Sequence, residues 1–178
     1  VERAAVEQST TTLPTRRHLA LSAFSAGYGA VRAILQDSAL ASRVHAVQLL
    51  HGLHALYVPE GRLLADGGTI EPSQLAPFVA FARRAMRDEV RFVITHSMIF
   101  PGTYASTTEV TDALLDVLGL RRTAVLAWGP RGMQQLSCVQ VGGFEVLGFA
   151  GNSTPDHVDH QLAPPELLRR VLPGRAQP

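Results

Sequence analysis

LALSAFSAGYGAV, residues 19–31, decides how the rest of the chain is read. The apolar run to Phe24 has the length and bulk of a strand, and the residues from about Gly27 onward have the small, apolar spacing of a helix. The change of geometry therefore falls on Ser25. The spacing Ala23-x-Ser25-x-Gly27 puts a small residue two places to either side of that serine. Small flanks let the chain turn tightly, with Ser25 in a strained conformation and its Oγ presented at the carboxyl edge of a sheet. This is a nucleophile elbow with Ala in place of the first Gly. The helix that follows aims its N-terminus at the same spot, so the Ala26 N–H is set to stabilise an oxyanion. The competing reading is a structural serine among small neighbours.

Working outward, the apolar runs 18–24, 44–50, 90–96 and 123–129 alternate with segments of helical period. That alternation predicts an α/β fold: a mostly parallel sheet with helices on both faces. Helices are expected at roughly 2–9, 27–36, 73–87, 107–118 and 164–172. The stretch LSCVQVGGFEVLGFAG, 136–151, holds two β-rich runs around Gly142-Gly143, which signals a hairpin and an antiparallel strand near the end. The loop 59–68 and the tail PGRAQP are the expected mobile parts.

The 178 residues suit a single domain over 1–178. Apolar residues at 46% against 17% charged argue for a filled interior and against a disordered tail. A net charge of +1, with the sixteen basic residues dispersed and all of them Arg, makes no stripe for nucleic acid. Cys138 stands alone, which excludes an intrachain disulfide and a cysteine zinc cluster. No run reaches the length of a membrane span, and VERAAVEQS has no signal-like apolar region. Localisation stays open; a leader removed ahead of Val1 would fit a secreted or periplasmic protein.

An activated serine needs a base within reach and a group to orient that base. GNSTPDHVDHQLAPPELL, 151–168, follows the last expected strand as a loop before the last helix, and offers His157, with His160 as the alternative base. After the third strand the first carboxylate is Glu109, the candidate acid, which reads equally well as a first-turn helix glutamate. Asp156 adjoins His157, and sequence neighbours rarely make the orienting bond. Tyr28, His51, His54, His96 and Ser97 are candidates for the pocket wall, as are Tyr57, Met98, Phe100, Tyr104 and Trp128 where they are not simply packing. His51-x-x-His54 and His157-x-x-His160 also have a spacing that permits metal ligation. No phosphate loop or dinucleotide fingerprint follows the first strand, so no cofactor is expected.

The segments FSAGYGAVRAIL, LLHGLHALYV, ITHSMIFPGTYASTTE, GGFEVLGFAG and DHVDH, in that order, resemble bacterial α/β-hydrolase-fold serine hydrolases. The resemblance runs over nearly the whole chain and corresponds to the family's C-terminal half, from the elbow onward, without the N-terminal strands. It implies Ser25 as nucleophile, the Ala26 N–H in the oxyanion hole and His157 as base. It also implies an Asp near the position that His51 holds, which leaves the identity of the acid open. A missing N-terminal half would leave the first strand as a bare edge, so a second polypeptide carrying that half, or a homodimer, is expected. The expected activity is hydrolysis of a small-molecule ester, less readily an amide, through an acyl-enzyme. The alternatives are a catalytically impaired binding or assembly subunit and a metal-dependent hydrolase using His51, His54, His157 and His160.

Overall fold

The computed structural model describes residues 19–172. Six strands form one sheet: β1 (Leu19–Phe24), β2 (Val44–Leu50), β5 (Arg91–His96), β6 (Thr123–Trp128), β7 (Gln134–Val141) and β8 (Phe144–Phe149). Their spatial order is β1-β2-β5-β8-β7-β6. The first four in that order run parallel, β7 pairs antiparallel with β8, and β6 pairs antiparallel with β7 and so runs in the sense of the first four. A two-stranded ribbon, β3 (Tyr57–Val58) and β4 (Thr69–Ile70), encloses the 59–68 loop.

Helices cover both faces because the central strands are apolar on both. In β2, Val47 and Leu49 join one cluster while Ala46 and Leu50 point the other way; in β5, Phe92 and Ile94 oppose Val93. The larger cluster takes α1 (Tyr28–Gln36) through Val31 and Leu35, α3 (Pro72–Met86) through Leu75, Phe78 and Phe81, and α4 (Thr107–Leu118) through Val110 and Leu114. The opposite face takes α6 (Pro164–Val171) through Leu167 and Val171. Two further helices, α2 (Ser38–Arg43) and α5 (Thr154–Leu162), complete the order.

Several expectations need correction. The segment 123–129 runs in the same sense as the four parallel strands but joins them only through the reversed β7, and it leaves Leu126 and Trp128 exposed at the sheet's far edge. Trp128 is therefore remote from the end of β1, where a pocket was expected. Residues 151–168 are not a loop, since α5 occupies 154–162 and carries both His157 and His160. Asp156 permits this by accepting hydrogen bonds from the Asn152 and Ser153 N–H groups, which satisfies donors at the helix start. The expected helix at 2–9 lies outside the described residues. Among the described residues β1 has no neighbour on its outer side, and no helix is long and apolar enough to cross a membrane.

Phe92 lies at the centre of the larger cluster, with ring centroids 5.5 Å from Phe81, 5.6 Å from Phe144 and 6.4 Å from Phe78. Phe92→Ala removes those contacts and leaves a cavity, so denaturant unfolding should show a loss of about 4 kcal/mol.

Candidate functional site

The sheet's carboxyl edge carries two backbone junctions of the same unusual kind. Ser25, directly after β1, has φ 50°, and His51, directly after β2, has φ 44°. Left-handed geometry at a residue with a side chain costs roughly 1–2 kcal/mol, so each turn is held by its surroundings. Gly52 shows how. A Cβ there would stand 2.3 Å from the Ser25 carbonyl oxygen and 2.7 Å from its nitrogen, so the end of β2 presses directly on the elbow. Nothing in the local sequence announces Gly52 as a site residue; the contact is long-range.

The turn at Ser25 passes through Ser25–Gly27 as a single 3-10 turn into α1. Ser25 is half-buried and Ala26 exposed, and both line a cavity of about 450 Å³. Ser25 also lines an adjoining cavity of about 300 Å³, whose walls include His51, His54 and His157. His157 is held between two rings: Phe24 at 4.5 Å and His51 at 4.6 Å, centroid to centroid. Phe24 immediately precedes Ser25, which explains how a helix near the far end of the chain delivers an imidazole beside the elbow. The Ser25 and His157 side chains share a cavity without a hydrogen bond between them.

Behind the cavities the remaining histidines form a buried polar layer. Arg122 donates to His96 Nε2 at 2.7 Å, so His96 carries its proton on Nδ1 and gives it to Thr108 Oγ1 at 2.9 Å; Thr108 in turn donates to the Ser97 carbonyl. Burial and the nearby Arg122 charge hold His96 well below its usual range, keeping it neutral. His51 Nε2 lies 2.7 Å from Ser97 Oγ, and His160 Nδ1 lies 2.8 Å from Thr95 Oγ1. His51 Nδ1 and His160 Nε2 are buried without a partner. Ser97, His96 and His160 are thus closed off behind the cavities and do not line them.

The expected site residues consequently separate. Ser25, Ala26, Tyr28, His51, His54 and His157 come together at the two cavities. Glu109 is engaged elsewhere: its carboxylate accepts from the Ser106 N–H at 2.8 Å and from the Tyr57 hydroxyl at 3.0 Å, as part of the capping box of α4. The helix reading of Glu109 describes that geometry. Tyr57 is accordingly bound to Glu109 and buried, whereas Tyr104 lines both cavities. Asp156 is used at the start of α5. Among the described residues no group of three or more His, Cys, Asp or Glu side chains is arranged to hold a metal ion. His51 cannot join one readily, since one ring nitrogen is bound to Ser97.

Crowding of imidazoles sets their charge. Burial first, then the neighbouring His157, brings His51 down to about 4; burial, then His51, brings His160 down to about 3. His54 and His157 are also lowered, chiefly by burial. All four rings are neutral at pH 7, and a proton taken by one disfavours a proton on the next. Neutral His157 is the form a general base requires.

No protein-family model, curated protein or solved structure matches this chain.

His51 has a usual value of 6.5 and about 4 in the folded chain, so the unfolded state takes up its proton first as pH falls. Stability should therefore be flat above pH 7 and drop between pH 6.5 and 4, by on the order of 3 kcal/mol from this residue. Urea unfolding at stepped pH checks this, and His51→Asn, which tolerates the positive φ, should remove this residue's share of the drop while that of His160 stays.

Proposed function

We propose that the protein is a serine hydrolase of the α/β-hydrolase kind that cleaves an ester, less readily an amide, through an acyl-enzyme on Ser25. The observation that carries this reading is the positive φ of Ser25 at a strand-to-helix junction that opens into the same cavity as His157. Backbone strain of this kind clusters at functional sites, and here it coincides with a cavity.

In this mechanism the Ser25 oxygen attacks the carbonyl carbon while His157 takes the hydroxyl proton. The Ala26 N–H, at the start of the turn where no helical acceptor faces it, stabilises the oxyanion. The imidazolium then gives its proton to the leaving alcohol, whose bond to the acyl carbon breaks. A water activated by His157 attacks the acyl-enzyme and releases the acid and free Ser25. The orienting group for His157 is the unusual part. His51, edge-on at 4.6 Å, occupies the flank where a carboxylate is usual. A neutral imidazole there restrains the ring without stabilising its charge, which predicts a slow enzyme. The same feature favours the second reading, a binding or assembly subunit that retains the fold with an incomplete triad.

A fluorophosphonate probe distinguishes them. Stoichiometric labelling that maps to Ser25 and disappears in Ser25→Ala supports the enzyme; an unlabelled native chain would assign it to the second reading. Given activity, Ser25→Ala should lower kcat by ~10³-fold or more. The rate should rise with pH through an apparent value below 6.5, since burial lowers His157 and only its neutral form accepts a proton.

A further inference from the structure

Of the two cavities that meet at Ser25, the larger carries a charge that the hydrolytic mechanism does not use. Arg32 lines it from α1, two turns after the elbow. Its guanidinium stacks 5.8 Å from the centre of the Tyr28 ring, one turn back toward Ser25. Its Nη1 is shut off from solvent and has no hydrogen-bond partner, and no carboxylate pairs with it among the described residues. Arg84, Arg87, Arg91, Arg121, Arg122, Arg131 and Arg170 each meet an Asp or Glu, whereas Arg43, Arg62, Arg83 and Arg169, like Arg32, make no ion pair among the described residues. Arg32 is set apart by combining a buried, unpartnered Nη1 with a place on the wall of the cavity that reaches Ser25.

The cavities offer nothing to neutralise it. Neither has an Asp or Glu in its wall among the described residues, and His51, His54 and His157 are uncharged at pH 7. A partly buried cation without a counter-ion is costly, and an incoming anion relieves that cost. A guanidinium matches a carboxylate in both shape and charge, through two parallel N–H···O bonds. The lone positive charge suits a monoanion better than a doubly charged phosphate. The wall that Arg32 and Ser25 share includes Ala55, Leu56 and the rings of Tyr28 and Tyr104, which suit a short methylene chain, together with the polar Gln74 and His54. The helical rise puts the two α-carbons about 10 Å apart, and the stacking on Tyr28 turns the charge back toward the serine.

We infer that Arg32 is the specificity-determining residue of this site, selecting substrates that carry a carboxylate a few carbons from the carbonyl that Ser25 attacks. The inference rests on the hydrolase reading, and names its substrate class: half-esters of short dicarboxylic acids and compounds of that shape.

The test compares mono-4-nitrophenyl glutarate with the neutral 4-nitrophenyl butyrate. The native chain should favour the glutarate half-ester by at least tenfold in kcat/KM. Arg32→Met should bring the ratio of the two values close to one, and Arg32→Lys should restore part of it. A native ratio near one, or a ratio that survives Arg32→Met in a folded variant, overturns the inference. Binding separates this outcome from failure of the hydrolase reading. Monomethyl glutarate, a monoanion, titrated calorimetrically into Ser25→Ala should bind saturably, and at least tenfold more weakly once Arg32→Met is added. Saturable, Arg32-dependent binding with no turnover of either ester would retain the anion site and discard the hydrolase. Absence of such binding discards the anion site, whatever Ser25 does.

Discussion

The packing of the β2 terminus against the turn after β1 is the constraint on which the rest of this structure depends. Gly52 has no side chain, so the β2 end can sit directly against the Ser25 backbone. That contact holds Ser25 at positive φ, and the matching turn at His51 puts an imidazole behind it. Two adjacent strained junctions are tolerated because β2 is buried along almost its entire length between β1 and β5. The sheet absorbs a local cost that neither turn would bear alone.

From that edge the chemistry is organised by burial. Seven histidines are a modest number for a chain of this length, yet five of them, His51, His54, His96, His157 and His160, gather around one end of the sheet. Desolvation keeps them neutral, and their mutual repulsion opposes a second proton where a first has bound. The inner rings are tied to Thr95, Ser97 and Thr108, which gives each a fixed orientation. His157 is restrained by rings alone, Phe24 and His51, and it faces the cavity. His157, on the cavity wall, is thereby separated from the hydrogen-bonded buried imidazoles, although all are the same residue type.

The electrostatics of the cavities follow from the same arrangement. Carboxylates that the sequence places nearby are consumed at helix starts, Glu109 at α4 and Asp156 at α5. Their absence from the cavity walls leaves Arg32 as the charge that an entering molecule meets. Cavities walled by neutral imidazoles and by one guanidinium are electrostatically uneven.

Local patterns determined a good part of this. The strand ending at Phe24, the helices near 27–36 and 107–118 and the tight Gly142-Gly143 turn were all legible, because propensity and apolar period act over a few residues. The elbow was legible for the same reason: small flanks, a serine and a change of period lie within nine residues. What α5 does was not, since a helix opened by Ser153 and Asp156 looks like a polar loop until its buried His160 face meets the sheet. Nor could the sequence assign Glu109 to Tyr57, 52 residues away, or Ser97 to His51, 46 residues away. Those pairings depend on which strand lies beside which and in what register. A single residue of slip would turn every side chain to the other face, so the sequence alone determined the presence of a presented serine, and only the assembled sheet decided which histidine and which arginine stand around it.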